Sequence, residues 1–97
     1  MNFEILLTPE AIRQLDLLRN PAHILVFKAV DKTIQLMASN LRHPSLNTHE
    51  FHGFSGPDGE KIFESYAQNR TPGAYRIFWY YGPGKGKLTI LTITPHP

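Results

Sequence analysis

Alternating apolar and polar residues predict the strands of this 97-residue chain. The first strand is expected over residues 2–7, where Phe3, Ile5 and Leu7 alternate with their neighbours. Three more strands are expected at about residues 61–68, 74–81 and 87–94. The glycine- and proline-containing segments between them are long enough for hairpin connections. Residues 42–59 are rich in Pro, Ser, Asn, His and Gly, which predicts a loop holding a short strand near residues 50–54.

Two helices are predicted between the first strand and this loop. Thr8-Pro9-Glu10 supplies a capping hydroxyl, a proline at the first helical position and an acid near the positive end of the helix dipole. Asn20-Pro21 ends this helix and opens the second. An apolar stripe then recurs at helical spacing, formed by Phe27, Val30, Ile34, Met37 and Leu41.

The apolar stripe of the second helix fits two interpretations. It is a possible coiled-coil seam, but it lasts only about two heptads. Packing against a sheet of the same domain is therefore preferred. The predicted fold is α+β and forms a single domain over residues 1–97. An N-terminal strand and a two-helix hairpin pack on an antiparallel sheet that ends in a three-strand meander.

Several classes of protein are excluded by composition. The absence of cysteine excludes disulfides and thiolate zinc sites. The N-terminus lacks the basic region and long apolar run of a signal peptide, and no apolar segment is long enough to span a membrane. A cytoplasmic protein is expected. His49 and His52, with Glu50 between them, have the spacing of a metal pair. They lack a convincing third ligand, so surface histidines and no metal are expected.

Charge is distributed unevenly along the chain, although the formal net charge is only +2. Residues 1–69 contain six Lys or Arg and eight Asp or Glu, whereas residues 70–97 contain four Lys or Arg and no acid. The basic third also holds the aromatic strand at residues 74–81. A basic, aromatic sheet predicts a polyanionic partner, and RNA is the first candidate.

Arg76 is the central residue of that prediction. Tyr75, Ile77, Trp79 and Tyr81 share one face of the strand and form the better core candidate. Arg76 then lies with Phe78 and Tyr80 on the other face, where an arginine can bind phosphate and aromatic rings can stack on bases. The alternative is structural: a hairpin centred near residue 70 would place Glu64 opposite Arg76 in a cross-strand ion pair.

Three segments of the chain resemble, in sequence and in order, segments of a known protein family. Arg42-His-Pro-Ser-Leu closes the second helix, Ala74-Tyr-Arg-Ile-Phe-Trp forms a strand, and Leu88-Thr-Ile-Leu-Thr-Ile-Thr-Pro-His96 ends the chain's last strand. Together with the predicted element order, these segments resemble the RelE/ParE superfamily of toxins from bacterial type II toxin–antitoxin systems.

In ribosome-dependent members, the resemblance implies an mRNA interferase, an endoribonuclease that inhibits translation and needs no metal or cofactor. The 2′-hydroxyl of the mRNA attacks the adjacent phosphate, which leaves a cyclic phosphate and a free 5′-hydroxyl. Arg76 matches the family's sheet arginine and would stabilise the phosphate. His96 matches the position after the last strand and would act as acid or base. RNA contacts are expected from Lys61, Arg70, Phe78, Tyr80, Lys85 and Lys87.

The sequence also departs from the family pattern. Active members usually continue with a basic residue and a catalytic tyrosine, whereas this sequence reaches Pro97 after His96. Tyr66, Tyr80 and Tyr81 are candidates to replace that phenol. The strand at residues 61–68 offers only Lys61 as a cation and also carries acids, which oppose phosphate binding.

Two other functions therefore stay open. One is a ParE-type toxin that inhibits DNA gyrase without being an enzyme, and the other is a degenerate family member that acts only as a binding module. The toxin interpretations imply a cognate antitoxin as partner and ribosome-bound mRNA, or alternatively gyrase, as target. The antitoxin would dock as a helix in a groove or as an added strand.

Overall fold

The structure, a computed structural model, describes residues 2–96, so the predicted domain's end residues Met1 and Pro97 lie outside the described part. Two α-helices and five strands are formed. In chain order they are β1 (Glu4–Leu7), α1 (Pro9–Leu17), α2 (Ile24–Ser39), β2 (His49–Phe51), β3 (Ile62–Tyr66), β4 (Tyr75–Tyr81) and β5 (Lys87–Pro95). Short 3₁₀ turns precede α2 at Pro21–His23 and β2 at Pro44–Leu46.

The strands form one sheet in the order β1-β5-β4-β3-β2. β3, β4 and β5 make the predicted antiparallel meander, and β2 adds antiparallel to β3. β1 runs parallel to β5, so the sheet is mixed; the sequence did not predict the direction of β1. The two helices that follow β1 give the chain enough length to reach the far side of the sheet, so that β5 can return beside β1 in the same direction. The α+β fold, with helices against the sheet, is confirmed.

Both helices begin close to where the sequence predicts. The Thr8 hydroxyl accepts a hydrogen bond of 3.1 Å from the Ala11 amide, and Pro9 is the first residue of α1. Pro21 does not open α2 directly, since it first forms a 3₁₀ turn before Ile24.

The core lies between the helices and one face of the sheet. Val30 and Met37 of the predicted apolar stripe are fully buried, so the stripe packs within the domain and not in a coiled coil. Ile77 and Trp79 are also fully buried, which confirms the predicted core face of β4. The Trp79 indole N–H donates to the hydroxyl of Ser65 at 2.9 Å, so this buried donor is satisfied.

Beyond Ile90, two side chains bond to the free edge of β5: Thr8, which caps α1, and Gln14 of α1. β1 pairs with β5 only as far as Ile90, and Leu91 is the extra residue of a bulge opposite β4. The Thr8 hydroxyl donates to the Leu91 carbonyl at 2.7 Å, and the Gln14 side-chain oxygen accepts from the Ile93 amide at 2.6 Å. The short β1 therefore leaves backbone groups that α1 must satisfy.

The β3–β4 hairpin has a different register from the one predicted. Tyr66, and not Glu64, lies directly opposite Arg76, while Glu64 lies opposite Phe78. The turn is displaced because the amides of Ala67 and Gln68 both donate to the Tyr75 carbonyl. Glu64 is thus a diagonal neighbour of Arg76, still within reach of its long side chain.

No helix within residues 2–96 has the length and apolar character needed to cross a membrane.

Replacing Gln14 with alanine is expected to lower the free energy of unfolding by about 1–3 kcal/mol, because the Ile93 amide loses its acceptor. Chemical denaturation measures the change. Gln35→Ala is the matched control, since this exposed glutamine bonds only Asp31 within its own helix, and it should cost about 0.5 kcal/mol or less. Equal losses for the two variants would show that α1 does not support β5 in this way.

Candidate functional site

The candidate site lies on the face of the sheet opposite the helices. His49 of β2 is opposite Glu64 of β3, and Tyr66 of β3 is opposite Arg76 of β4. Residues directly opposite in antiparallel strands share a face, and alternation places Glu64 and Tyr66 on the same side of β3. We call His49, Glu64, Tyr66 and Arg76 the charge network.

Arg76 is held on several sides. It is only 8% exposed, and its Nη1 donates to the Gln68 carbonyl at 2.7 Å. The guanidinium carbon lies 3.7 Å from the centre of the Tyr66 ring, a cation–π contact. Nε lies 3.6 Å from Glu64 Oε2 and has no hydrogen-bond partner within the described residues. The structural ion pair predicted for this arginine is therefore present, in diagonal form, and the arginine is not an open surface cation.

Glu64 bridges Arg76 and His49. One carboxylate oxygen faces Arg76, and the other lies 2.8 Å from His49 Nε2. His49 Nδ1 is 2.8 Å from the Asn47 carbonyl. Since the carbonyl and an ionised carboxylate both accept, a protonated imidazole donates to both of them, whereas a neutral imidazole donates to one.

The charge of the network depends on His49. The charges of ionised Glu64 and Arg76 cancel, so the network carries a net positive charge when the imidazole is protonated. The His49 side chain is 47% exposed, so the network presents this charge to solvent mainly through the imidazole and not through the buried guanidinium.

His96 lies at the same end of the sheet. Its backbone amide donates to the Ala74 carbonyl at 2.8 Å, which extends the β4–β5 ladder by one residue. Thr94 is opposite Arg76, and alternation puts residue 96 on the same face two positions further along. The two predicted catalytic residues, Arg76 and His96, are thus brought to one end of one face.

The predicted RNA-binding residues are divided between the two ends of the sheet. Arg70 is exposed in the β3–β4 loop, near Arg76. Three lysines lie at the opposite end of the sheet: Lys61 just before β3, Lys85 between β4 and β5, and Lys87 at the start of β5. The five residue steps from Arg76 to Tyr81 span roughly 17 Å at strand rise, so these lysines are remote from the network.

The aromatic residues predicted to stack on bases are poorly accessible. The Phe78 ring is packed against Phe51 and Phe54, with ring centres 4.9 and 5.7 Å away. Tyr80 is only 7% exposed. Stacking on RNA bases by either ring requires local rearrangement, whereas Tyr66 is half-buried and its ring lies beside both Arg76 and His49.

Sequence reasoning missed His49 as a partner in this network. The expected strand near residues 50–54 is instead His49–Phe51, so His49 had been assigned to the loop and not to a strand paired with β3. His52, its partner in the suggested metal pair, instead lies 3.6 Å from Glu50. Among residues 2–96, no three His, Asp or Glu side chains are grouped to hold a metal ion.

Comparison of the sequence finds no match to a protein-family model or to a curated protein. Solved structures do match. A YoeB/ParE toxin from Agrobacterium tumefaciens superposes with a TM-score of 0.70 at 9% identity, covering 98% of this chain and 100% of that one. The YoeB dimer from Staphylococcus aureus gives 0.65 at 10% identity, with both chains fully covered.

An archaeal structure shows the same likeness. A chain of the RelE–RelB complex from Pyrococcus horikoshii OT3 has a TM-score of 0.66 at 10% identity, covering 98% of this chain and 96% of the other. These similarities span the sheet and both helices at sequence identities of 9–10%. The chain therefore has the same fold as these RelE–RelB, YoeB/ParE and YoeB structures, the fold that the sequence resemblance predicted.

Proposed function

We propose that this protein is the toxin of a type II toxin–antitoxin pair and that it cleaves mRNA. The charge network carries the proposal. It combines a buried guanidinium, an imidazole that is half-exposed and a tyrosine ring on the open face of a toxin-like sheet. His96 at the same end adds a second imidazole.

The chemistry needs little beyond these groups. The RNA's 2′-oxygen attacks the phosphorus as its proton leaves, and the bond from phosphorus to the 5′-oxygen breaks as that oxygen gains a proton. His96 serves one of these proton transfers, and the network, positively charged when His49 is protonated, stabilises the phosphate as its negative charge grows. Tyr66 is the best placed of the three tyrosines to supply a phenol. Tyr80 is buried, and Tyr81 projects from the other face at the far end of β4.

A non-enzymatic toxin that binds gyrase is the second candidate. The observation in its favour is the state of Arg76, whose guanidinium is committed to Glu64, Tyr66 and the Gln68 carbonyl. If Arg76 serves only to stabilise the sheet, the protein can bind a protein target without cleaving RNA.

An antitoxin partner is part of either proposal. The P. horikoshii relative is described in complex with RelB. In this chain, β1 and β2 are the edge strands of the sheet, and each is short, at four and three residues. Strand addition at one of these edges would satisfy their outward backbone groups.

Glu64→Gln is expected to lower the free energy of unfolding by about 3 kcal/mol or more, because it leaves the Arg76 charge buried without a counterion. The control is Glu10→Gln, which removes one partner of the exposed pair with Arg13 and should change stability by about 0.5 kcal/mol or less. Urea denaturation measures both variants. A small effect of Glu64→Gln would show that solvent or another group compensates Arg76, and that the guanidinium is more available to phosphate than its contacts indicate.

Induced expression in a bacterial host tests the activity. We expect the wild-type chain to arrest growth and amino-acid incorporation and to leave RNA fragments with cyclic phosphate ends. His96→Ala should slow cleavage by roughly a hundredfold or more, the usual effect of losing an acid–base group. Tyr66→Phe should also slow cleavage if the phenol transfers a proton. Arg76→Lys keeps the charge but loses the planar guanidinium, and it should weaken cleavage while Arg13→Lys does not.

The measurements separate the candidate functions. Growth arrest with normal protein synthesis and blocked DNA supercoiling would replace RNA cleavage with gyrase inhibition. Unhindered growth despite abundant, folded wild-type protein would exclude both toxin activities. Circular dichroism of each purified variant distinguishes lost chemistry from lost folding.

A further inference from the structure

A cavity of about 510 Å³ lies on the helix side of the sheet, away from the charge network. Its walls come from the segment that follows α2 and from the aromatic residues at the ends of β1 and β4. The lining includes Phe3, Ser39, Asn40, Arg42, Thr48 and Tyr81. Its volume falls in the range of about 300–1,000 Å³ that is typical of small-molecule sites.

One wall of the cavity is a supported aromatic ring. Tyr81 packs against Trp79, Phe63 and Phe3, with ring centres 4.9, 5.4 and 6.0 Å away. It is nevertheless 52% exposed, which is unusual for a large ring attached to the core. A ring that is fixed on one side and open on the other is a ready surface for stacking.

The polar groups of the cavity are uncommitted. Within residues 2–96, the Arg42 guanidinium has no ion pair or hydrogen bond, and neither the side-chain amide of Asn40 nor the Tyr81 hydroxyl has a hydrogen-bond partner. Ser39 and Thr48 differ, since their hydroxyls already bond the Gln35 carbonyl and the Ser65 hydroxyl. The free groups are therefore a cation, an amide that both donates and accepts, and an aromatic face.

We propose that this cavity binds a nucleotide unit, either as a free nucleoside monophosphate or as one residue of an RNA strand. The base stacks on Tyr81, the Asn40 amide bonds the base edge, and Arg42 binds the phosphate with its planar fork. No other function assigned above uses these residues. The proposal does not depend on RNA cleavage, because the cavity lies on the other side of the sheet from His96 and Arg76.

Titration of the 97-residue protein with each of the four nucleoside 5′-monophosphates tests the proposal. Amide chemical shifts should move at residues 39–42 and at Tyr81, and calorimetry should report the affinity. Arg42→Gln should weaken nucleotide binding about tenfold or more but leave the binding of unphosphorylated nucleosides unchanged. Tyr81→Leu should weaken both by about tenfold, whereas Tyr81→Phe, which keeps the ring, should retain both.

Lys32→Gln is the control, since Lys32 is an exposed cation of α2 that does not line the cavity; the nucleotide affinity of this variant should stay within about twofold of wild type. A trinucleotide that binds at least about tenfold more tightly than any mononucleotide would identify RNA as the ligand, and equal affinities would identify a free nucleotide.

No change in the amide chemical shifts at about 10 mM of all four nucleotides would overturn the proposal. So would binding that Arg42→Gln and Tyr81→Leu leave unchanged. The cleavage assay of the purified protein is independent of both results.

Discussion

The carboxylate of Glu64 is the constraint around which the open face of the sheet is organised. It is about one-tenth exposed, and a charge so poorly solvated must be paired. Arg76 from the central strand and His49 from the edge strand provide that pairing, so one acid joins β2, β3 and β4. The three-residue β2 has few backbone bonds of its own, and its attachment through His49 compensates for this shortness.

This pairing also limits what Arg76 can do chemically. A free surface arginine could approach a phosphate with its whole fork, whereas here the Nη1 group already donates to a carbonyl and the ring of Tyr66 covers one guanidinium face. A net positive charge remains when His49 is protonated, because two cationic groups then share a single acid. The open face can therefore attract an RNA backbone by its field while the arginine itself stays in position. Such an arrangement favours electrostatic stabilisation by a fixed group over direct capture of the phosphate by a mobile one.

Much of the fold followed from local sequence patterns. Thr8-Pro9 fixed the start of α1, the stripe containing Val30 and Met37 fixed the buried side of α2, and alternation fixed the core face of β4. Patterns of this kind act within one element. The direction of β1 and the register of β3 against β4 depend on contacts between elements, and neither alternation nor turn length determines them. The same limit applies to the site: the identity of Arg76 was visible in the sequence, but its burial depends on a diagonal neighbour and on a carbonyl eight residues away.

The two arginines at opposite faces of the sheet show why residue type alone is a weak guide to function. Arg76 lies in the segment that most resembles toxin sequences, yet its hydrogen bonds and its ion pair are internal. Arg42 lies in a polar loop segment that gives a weaker sequence signal. Among residues 2–96 its charge has no partner, and it borders a cavity with an open tyrosine ring. An unpaired arginine gains little for folding and keeps its hydrogen-bonding capacity for a ligand, whereas a paired one must exchange an internal partner for the ligand at a cost. On this physical ground, the capacity to bind a phosphate directly is greater at Arg42, and the capacity to shape the field of the sheet is greater at Arg76.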